Sequence, residues 1–362
     1  MGLPMRSQHS TVIRTAILML GAGLSACGVW SALPGYAAQA DAAKRHLEQG
    51  AALYRQGDYD GALPALSKAV ELNPKSAEAH HLLGMAYFHG RKQPAEAIEH
   101  VTKAVQLNPG LTRAQYDLGV IYSSQGRYAE AEQALRRAVQ LAPKEPEPRY
   151  ALAKVYERSQ ATDKAIQTYL DLLASHPAHT EALYSLGQLY DTQGDRRLAH
   201  DTLTKLTSVK ANHADAWYLL GKIAQTENRL DEASEAYRMA ILARPDLVDA
   251  HYNLAFIYRS VGKQQEAAKQ FREAIRLKPQ YAEAHLNLGL VYTELGRLDE
   301  AEDEFEAAIT ANPALAEAYY NYGLFLELQR KDSARALAHY RKFLELGGKD
   351  ERVERIVGRG AK

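Results

Sequence analysis

Apolar residues recur at helical spacing through most of this chain, and the pattern itself repeats. Leu286 and Leu290 stand four apart, as do Leu288 and Tyr292, with Gly289 three before Tyr292, which is the i, i+3, i+4 spacing of a helix. The alternation expected of a strand appears nowhere. A phrase close to A-x-x-Y-x-L-G-x-x-Y returns every 34 residues, and Pro74, Pro109, Pro143, Pro177, Pro245, Pro279 and Pro313 keep that interval or a multiple of it, apart from one interval of 35. Ala211 stands in the vacant proline position. Each period reads as two helices followed by a stop. A unit that short cannot bury its own apolar face, so neighbours must cover one another, which predicts an all-α stack instead of a closed globule.

Registered on the prolines, nine units begin near Ala43, Ala77, Thr112, Pro146, Thr180, Ala214, Val248, Ala282 and Ala316. Gly84, Gly119, Gly187, Gly221, Gly289 and Gly323 share one register, with Ala153 and Ala255 in the same place; small residues there let the second helix of a unit approach the first. Ala131, Ala165, Ala199, Ala233, Ala267 and Ala301 do the same from the second helix. Gly57, Gly126, Gly194, Gly262 and Gly296 mark the turn between helices, where a left-handed residue ends the first helix. The second and ninth units carry one extra residue, expected in the turn near Arg91–Pro94 and Arg330–Ser333.

These positions resemble the tetratricopeptide repeat. The eighth unit matches with Leu288-Gly289, Tyr292, Gly296, Ala301, Phe305, Ala308 and Pro313, and the third with Leu118-Gly119, Tyr122, Gly126, Tyr128, Ala131, Leu135, Ala138 and Pro143. The resemblance spans about Ala43 to Gly348. It implies a right-handed superhelix of about nine helix-turn-helix repeats whose first helices line an inner, concave wall where extended partner segments lie. After Gly347-Gly348, Val353, Ile356 and Val357 form one apolar stripe, expected to be a capping helix. The expected division is therefore 1–40 for signal and tether, 43–348 for the array, and 349–362 for the capping helix and tail.

Two columns on the first helices are candidate binding residues. Tyr116, Tyr150, Tyr184, Tyr218, Tyr252 and Tyr320 share one register, with His81 and Leu286 in the other two places. Tyrosine offers a ring and a hydroxyl at low entropic cost, although the same rings could instead fill the seam between first helices. The next position holds Asn253, Asn287 and Asn321, with Asp117 and Ser185 earlier. These resemble the asparagine ladder lining the repeat groove of O-linked N-acetylglucosamine transferases, where carboxamides pair with the backbone of an extended polypeptide; solvated or helix-capping asparagine is the alternative. Glu78, Glu147, Glu181, Asp215, Asp249, Glu283 and Glu317 recur near the start of the first helices, where they complement the helix dipole or clamp a basic partner.

Charge and chemistry narrow the function. Lys+Arg and Asp+Glu both number 44, and without a basic stripe a nucleic-acid partner is not expected. No metal or cofactor motif occurs; His80, His251 and His285, and His176 and His179 beside Pro177, read as scaffold. The repeats leave no stretch of this sequence for a catalytic domain, so an enzyme is not expected. Arg6 and Arg14 precede an apolar stretch at Thr15–Gly23, an export signal. Leu24-Ser25-Ala26-Cys27 resembles a bacterial lipobox, which would place a lipid on Cys27; Ala38-Gln39-Ala40 offers a second cleavage site, and an uncleaved anchor is the third possibility. The expectation is an exported, periplasmic scaffold for other proteins, lipid-anchored to a bacterial membrane, with a self-associating assembly factor of an envelope machine as the alternative. Its oligomeric state is left open.

Overall fold

The computed structural model describes residues 34–359. It forms two compact units, the first ending at Pro177 and the second beginning at Ala178. In the first unit, α1 (Pro34–Arg55) pairs with α2 (Tyr59–Leu72), α3 (Ala77–Ala86) with α4 (Pro94–Leu107), α5 (Thr112–Ser124) with α6 (Tyr128–Leu141), and α7 (Pro146–Arg158) with α8 (Thr162–Ser175). In the second, the pairs are α9 (Thr180–Gln193) with α10 (Arg196–Val209), α11 (Ala214–Thr226) with α12 (Leu230–Ala243), α13 (Val248–Ser260) with α14 (Gln264–Leu277), α15 (Ala282–Glu294) with α16 (Leu298–Ala311), and α17 (Ala316–Phe325) with α18 (Ser333–Glu345). A last helix, α19 (Glu351–Arg359), follows. Within each unit every helix packs against the next, and the described residues contain no strand.

Turn chemistry sets the hairpins. The chain leaves the first helix in the left-handed region at Gly57, Gly126, Gly194, Gly262 and Gly296. Where glycine is missing, Gln160 and Asn228 adopt the same conformation with φ of 60° and 59°. Between pairs, the side chains of Asn73, Asn108 and Asn312 accept hydrogen bonds from the backbone two residues on, at 3.2, 3.0 and 3.1 Å. These local bonds compete with helix continuation and reinforce the proline stop. The next helix starts on a capping acceptor in several pairs, including Ser76 Oγ to Ala79 N at 3.2 Å and the Nδ1 atoms of His179 and His213.

The small positions allow close approach. A Cβ placed on Gly119 would lie 2.5 Å from Leu135 Cγ, and one on Gly221 2.7 Å from the Tyr237 ring. Gly50, in the atypical first repeat, meets Leu66 in the same way at 2.6 Å. Beyond the hairpin contact, each unit is held by side chains covering the next pair. Phe271, Phe305, Tyr322 and Tyr340 are fully buried in one such cluster running from Ala255 to Val353.

Two details depart from the sequence expectation. The helix of the first repeat begins at Pro34, not near Ala43, so Pro34–Ala40 is helical instead of tether. Proline costs nothing at a first helical position, where its missing N–H would be unpaired anyway, and Ala37, Ala38 and Ala40 favour helix. Gln39 fastens this segment by donating to Leu72 O at 3.0 Å. The extra residues of the second and ninth repeats are absorbed not in the turn but in a widened π-helical turn at the end of the first helix, at Tyr87–Arg91 and Leu326–Arg330. Lys92 and Lys331 then take the left-handed position.

In five repeats the bulky residue early in the first helix has a defined task. His80, Trp217, His251 and His285 each donate from a ring nitrogen to the carbonyl six residues back, at 3.2, 2.7, 2.9 and 3.1 Å, and Arg149 does so from its guanidinium. The acceptors are Pro74, Ala211, Pro245, Pro279 and Pro143, so this clasp fixes the joint between repeats.

Candidate protein-binding face

Three first helices of the second unit, α13, α15 and α17, present residues in register: an acid, a tyrosine or leucine, an asparagine, an apolar residue and, on α13, a basic residue near the helix end. On α13 these are Asp249, Tyr252, Asn253, Phe256 and Arg259; on α15 the first four are Glu283, Leu286, Asn287 and Leu290; on α17 they are Glu317, Tyr320, Asn321 and Leu324.

The tyrosines are half-buried and lean on their surroundings. Tyr184 lies 5.0 Å from the His213 ring, Tyr218 5.7 Å from Tyr237, Tyr252 4.9 Å from Tyr281 in a stacked pair, and Tyr320 5.1 Å from Phe343. They therefore fill the seam with one ring face while part of each side chain stays at the surface. Burial first, then the carboxylate of the following first helix, pushes the phenols up: Asp215 acts on Tyr184, Asp249 on Tyr218, and Glu283 with Glu317 on Tyr252. The hydroxyls remain donors through the physiological range.

The asparagines are not equivalent. Asn253 Nδ2 donates to Tyr218 Oη at 3.3 Å, and Asn287 Nδ2 to Tyr252 Oη at 3.2 Å, each pairing with the tyrosine 35 residues back. Asn287 also donates to Glu283 O at 2.8 Å and accepts from Arg259 at 3.2 Å, so both amide hydrogens are used. Asn321 finds Leu286 where the tyrosine would be and donates to Glu317 O at 2.7 Å instead. The carboxamide oxygens of Asn253 and Asn321 accept nothing among the described residues. Two of the three amides can thus meet a peptide group; the third would first have to release Arg259.

On α5 of the first unit the same register is closed. Asp117 replaces asparagine, and its buried carboxylate accepts from His81 Nε2 at 2.7 Å and Arg113 Nε at 2.9 Å. The Arg113 guanidinium also lies 5.2 Å from the Tyr116 ring centre, and Tyr150 rests 6.0 Å from Tyr169.

The acids divide into paired and unpaired. Glu181 accepts from Thr180 at 3.1 Å and Asp215 binds Arg244 at 2.5 Å, but Asp249, Glu283 and Glu317 make no ion pair among the described residues. All lie in the first turn of their helices.

The apolar column next to the asparagines was not apparent from the repeat pattern. Phe256 is 44% exposed, and Leu290 and Leu324 are half-buried at the same register on α15 and α17. The corresponding residues on α9 and α11 are Gln188 and Lys222. The signal was in the sequence as a change of residue type at one register.

No group of three or more His, Cys, Asp or Glu among the described residues is arranged to hold a metal ion, and no described helix is long and apolar enough to cross a membrane. Cys27 and the export signal lie outside the described residues.

Comparison with known proteins agrees with the architecture. The family model described as the cilia and flagella-associated protein 70 C-terminal domain matches residues 92–321, well over half of the chain, and that of the tetratricopeptide repeat matches 47–112 and 303–351. No curated protein matches. Among solved structures, the C-terminal part of a TPR repeat-containing protein from Cytophaga hutchinsonii is 15% identical, over 66% of this chain and 97% of that one, with a TM-score of 0.59. MamA is 26% identical over 45% of this chain and 94% of its own, with a TM-score of 0.43. The pilF protein of Pseudomonas aeruginosa is 21% identical over 57% and 94%, with a TM-score of 0.49.

Proposed function

The chain belongs to the tetratricopeptide-repeat family, a protein-interaction fold, and from that premise we propose that it is a non-catalytic scaffold holding extended segments of other proteins along the first helices of residues 178–362. One observation carries this reading. Asn253 and Asn321 keep unspent carboxamide oxygens, each three residues before an apolar side chain at the surface, the exposed Phe256 and the half-buried Leu324, so backbone recognition and apolar contact are offered at one register. Contacts of this kind are individually weak and accumulate along a segment.

A photo-crosslinker replacing Phe256 should capture partner segments, whereas one at Arg276 on the exposed side of α14 should not. Changing Asn253, Asn287 and Asn321 together to alanine should lose more capture than any single change. Equal capture from both sites, or unchanged capture by the triple variant, would remove this reading. Light scattering tests the rival role of a self-associating assembly factor, which requires an oligomer.

We further propose that the scaffold works in a bacterial envelope, carried there by the segment containing Arg6, Arg14 and Thr15–Gly23 and anchored through Cys27. Palmitate should label the wild type and not Cys27→Ala. A mature amino terminus at Asp41 would overturn the lipid anchor.

A further inference from the structure

The chemistry of the face says more than that it binds extended chains. Three successive first helices, α13, α15 and α17, carry first-turn carboxylates, Asp249, Glu283 and Glu317, that make no ion pair among the described residues. In the preceding pair, Arg244 stands 29 residues after Asp215 and binds it at 2.5 Å. The corresponding residue after Glu283 is Asn312 and after Glu317, allowing for the extra residue of the ninth repeat, is Gly347, so neither has a basic partner at that register. After Asp249 it is Lys278, whose ammonium lies instead over the Tyr281 ring, 4.4 Å from its centre. That placement shows what the ring faces accept. Tyr252 and Tyr281 are stacked at 4.9 Å, and the phenol of Tyr281 is raised first by its burial and then by Tyr252, Asp249 and Glu283. The aromatic pair and the carboxylates therefore lie close enough to act on one charge, the arrangement that attracts ammonium or guanidinium groups.

Beside this acidic edge runs the apolar column of Phe256, Leu290 and Leu324, extended by Leu328, which is 52% exposed. The first helices touch directly, since Asn287 reaches Tyr252 at 3.2 Å and Asn253 reaches Tyr218 at 3.3 Å. Helices in such contact lie about 8–10 Å apart. A polyproline-II segment advances about 9.3 Å per three residues and returns the same face to the wall at each third residue.

Resting on the scaffold reading above, we propose that the partner segment is basic and apolar: an extended chain with an apolar side chain at every third residue, set on Phe256, Leu290 and Leu324, and with lysine or arginine between, facing Asp249, Glu283 and Glu317. Apolar contact holds the segment; charge selects it and fixes its register. Acidic segments are rejected by the same three carboxylates.

The test uses the full chain and three fluorescein-labelled peptides built from Leu-Lys-Pro, Leu-Gln-Pro or Leu-Glu-Pro triplets, followed by anisotropy. Exposed ion pairs are each worth up to about fivefold in affinity, so the lysine peptide should bind about tenfold or more tighter than the glutamine peptide at low salt, with the glutamate peptide weakest. Raising the salt to about 0.5 M should close most of the gap. Asp249→Asn, Glu283→Gln and Glu317→Gln together should erase the preference for lysine while leaving the glutamine peptide bound, and circular dichroism confirms that the variant folds. Equal binding of the lysine and glutamine peptides, or a preference that survives the triple substitution, would overturn the inference and leave the scaffold reading standing. If no peptide bound, both would fall together. A dimer of the free protein that the triple substitution dissolves would assign the face to a second copy and also overturn it.

Discussion

Replacing Gly119 by valine tests whether the hairpins are set by side-chain volume at the small position. Gly119 lies on α5 in contact with α6, and an added Cβ would fall 2.5 Å from Leu135 Cγ, 3.0 Å from Cδ2 and 3.2 Å from Cδ1. Leu135 is fully buried, so it has no free rotamer to move into. Overpacking of this kind costs about 1–3 kcal/mol, and the helix propensity of valine over glycine returns about 0.3 kcal/mol. The net loss should be about 1–3 kcal/mol, read as a fall of about 2–4 °C in melting temperature per kcal/mol for a body of this size. The decisive assay is a double-mutant cycle by denaturant unfolding. Leu135→Ala alone should cost about 2–5 kcal/mol, but combined with Gly119→Val it should cost less than the sum, because each change supplies what the other lacks. A coupling of about 1 kcal/mol or more is expected for residues in contact. Additive losses would refute the steric account. Gly126, seven residues on, is the control: it has φ of +72° with nothing within 4 Å of a Cβ, so Gly126→Val should be costly through the backbone alone and should not couple to Leu135.

Three further outcomes follow from named contacts. His80 and His100 share a 3.2 Å contact between Nδ1 atoms, and burial, reinforced for His100 by His80, holds both below the usual imidazole range. Their neutral forms stabilise the first unit above about pH 6.5, and that stability is lost as pH falls toward the lowered values; His100→Gln should flatten the decline in melting temperature between about pH 7 and 5. His285 behaves oppositely. Burial opposes its protonation, but the Glu304 carboxylate at 2.5 Å and the Pro279 carbonyl outweigh this and raise it, so its contribution is present at low pH and lost as pH rises through the raised value. His285→Gln should therefore cost more near pH 5.5 than near pH 8. Phe305→Ala removes a fully buried ring that sits 5.7 Å from Tyr322 and 5.3 Å from Phe325, which should cost about 3–5 kcal/mol. Hydrogen exchange should quicken in α15 to α18 together, since each pair depends on its neighbours for cover; exchange confined to α16 would contradict that dependence.

How much could be read from residues alone varies by position. The register of glycine and alanine on facing helices was legible because each such position answers to one local contact and the contact recurs. The clasp from His80, Arg149, Trp217, His251 and His285 to the carbonyl six residues back was visible only as a bulky slot, since three residue types reach the same oxygen. The asparagine column was legible as a column, but not as three different environments.

Period, helical pairs, left-handed turns and small contact positions were determined by the sequence itself. Each depends on residues within about 20 of one another, and repetition exposes such short-range rules. Tertiary structure decided which groups are still available to a partner. Asn287 is occupied because Tyr252 and Arg259 from the preceding first helix reach its amide and its oxygen, while the oxygen of Asn321 stays free because Thr293 stands at the register of Arg259 and donates to Gly289 O instead. Glu283 and Glu317 lack the partner that Arg244 gives Asp215, because Asn312 and Gly347 stand at that register. Hydrogen bonds and ion pairs are spent between neighbouring repeats, so availability is a property of the packed array and not of any single unit.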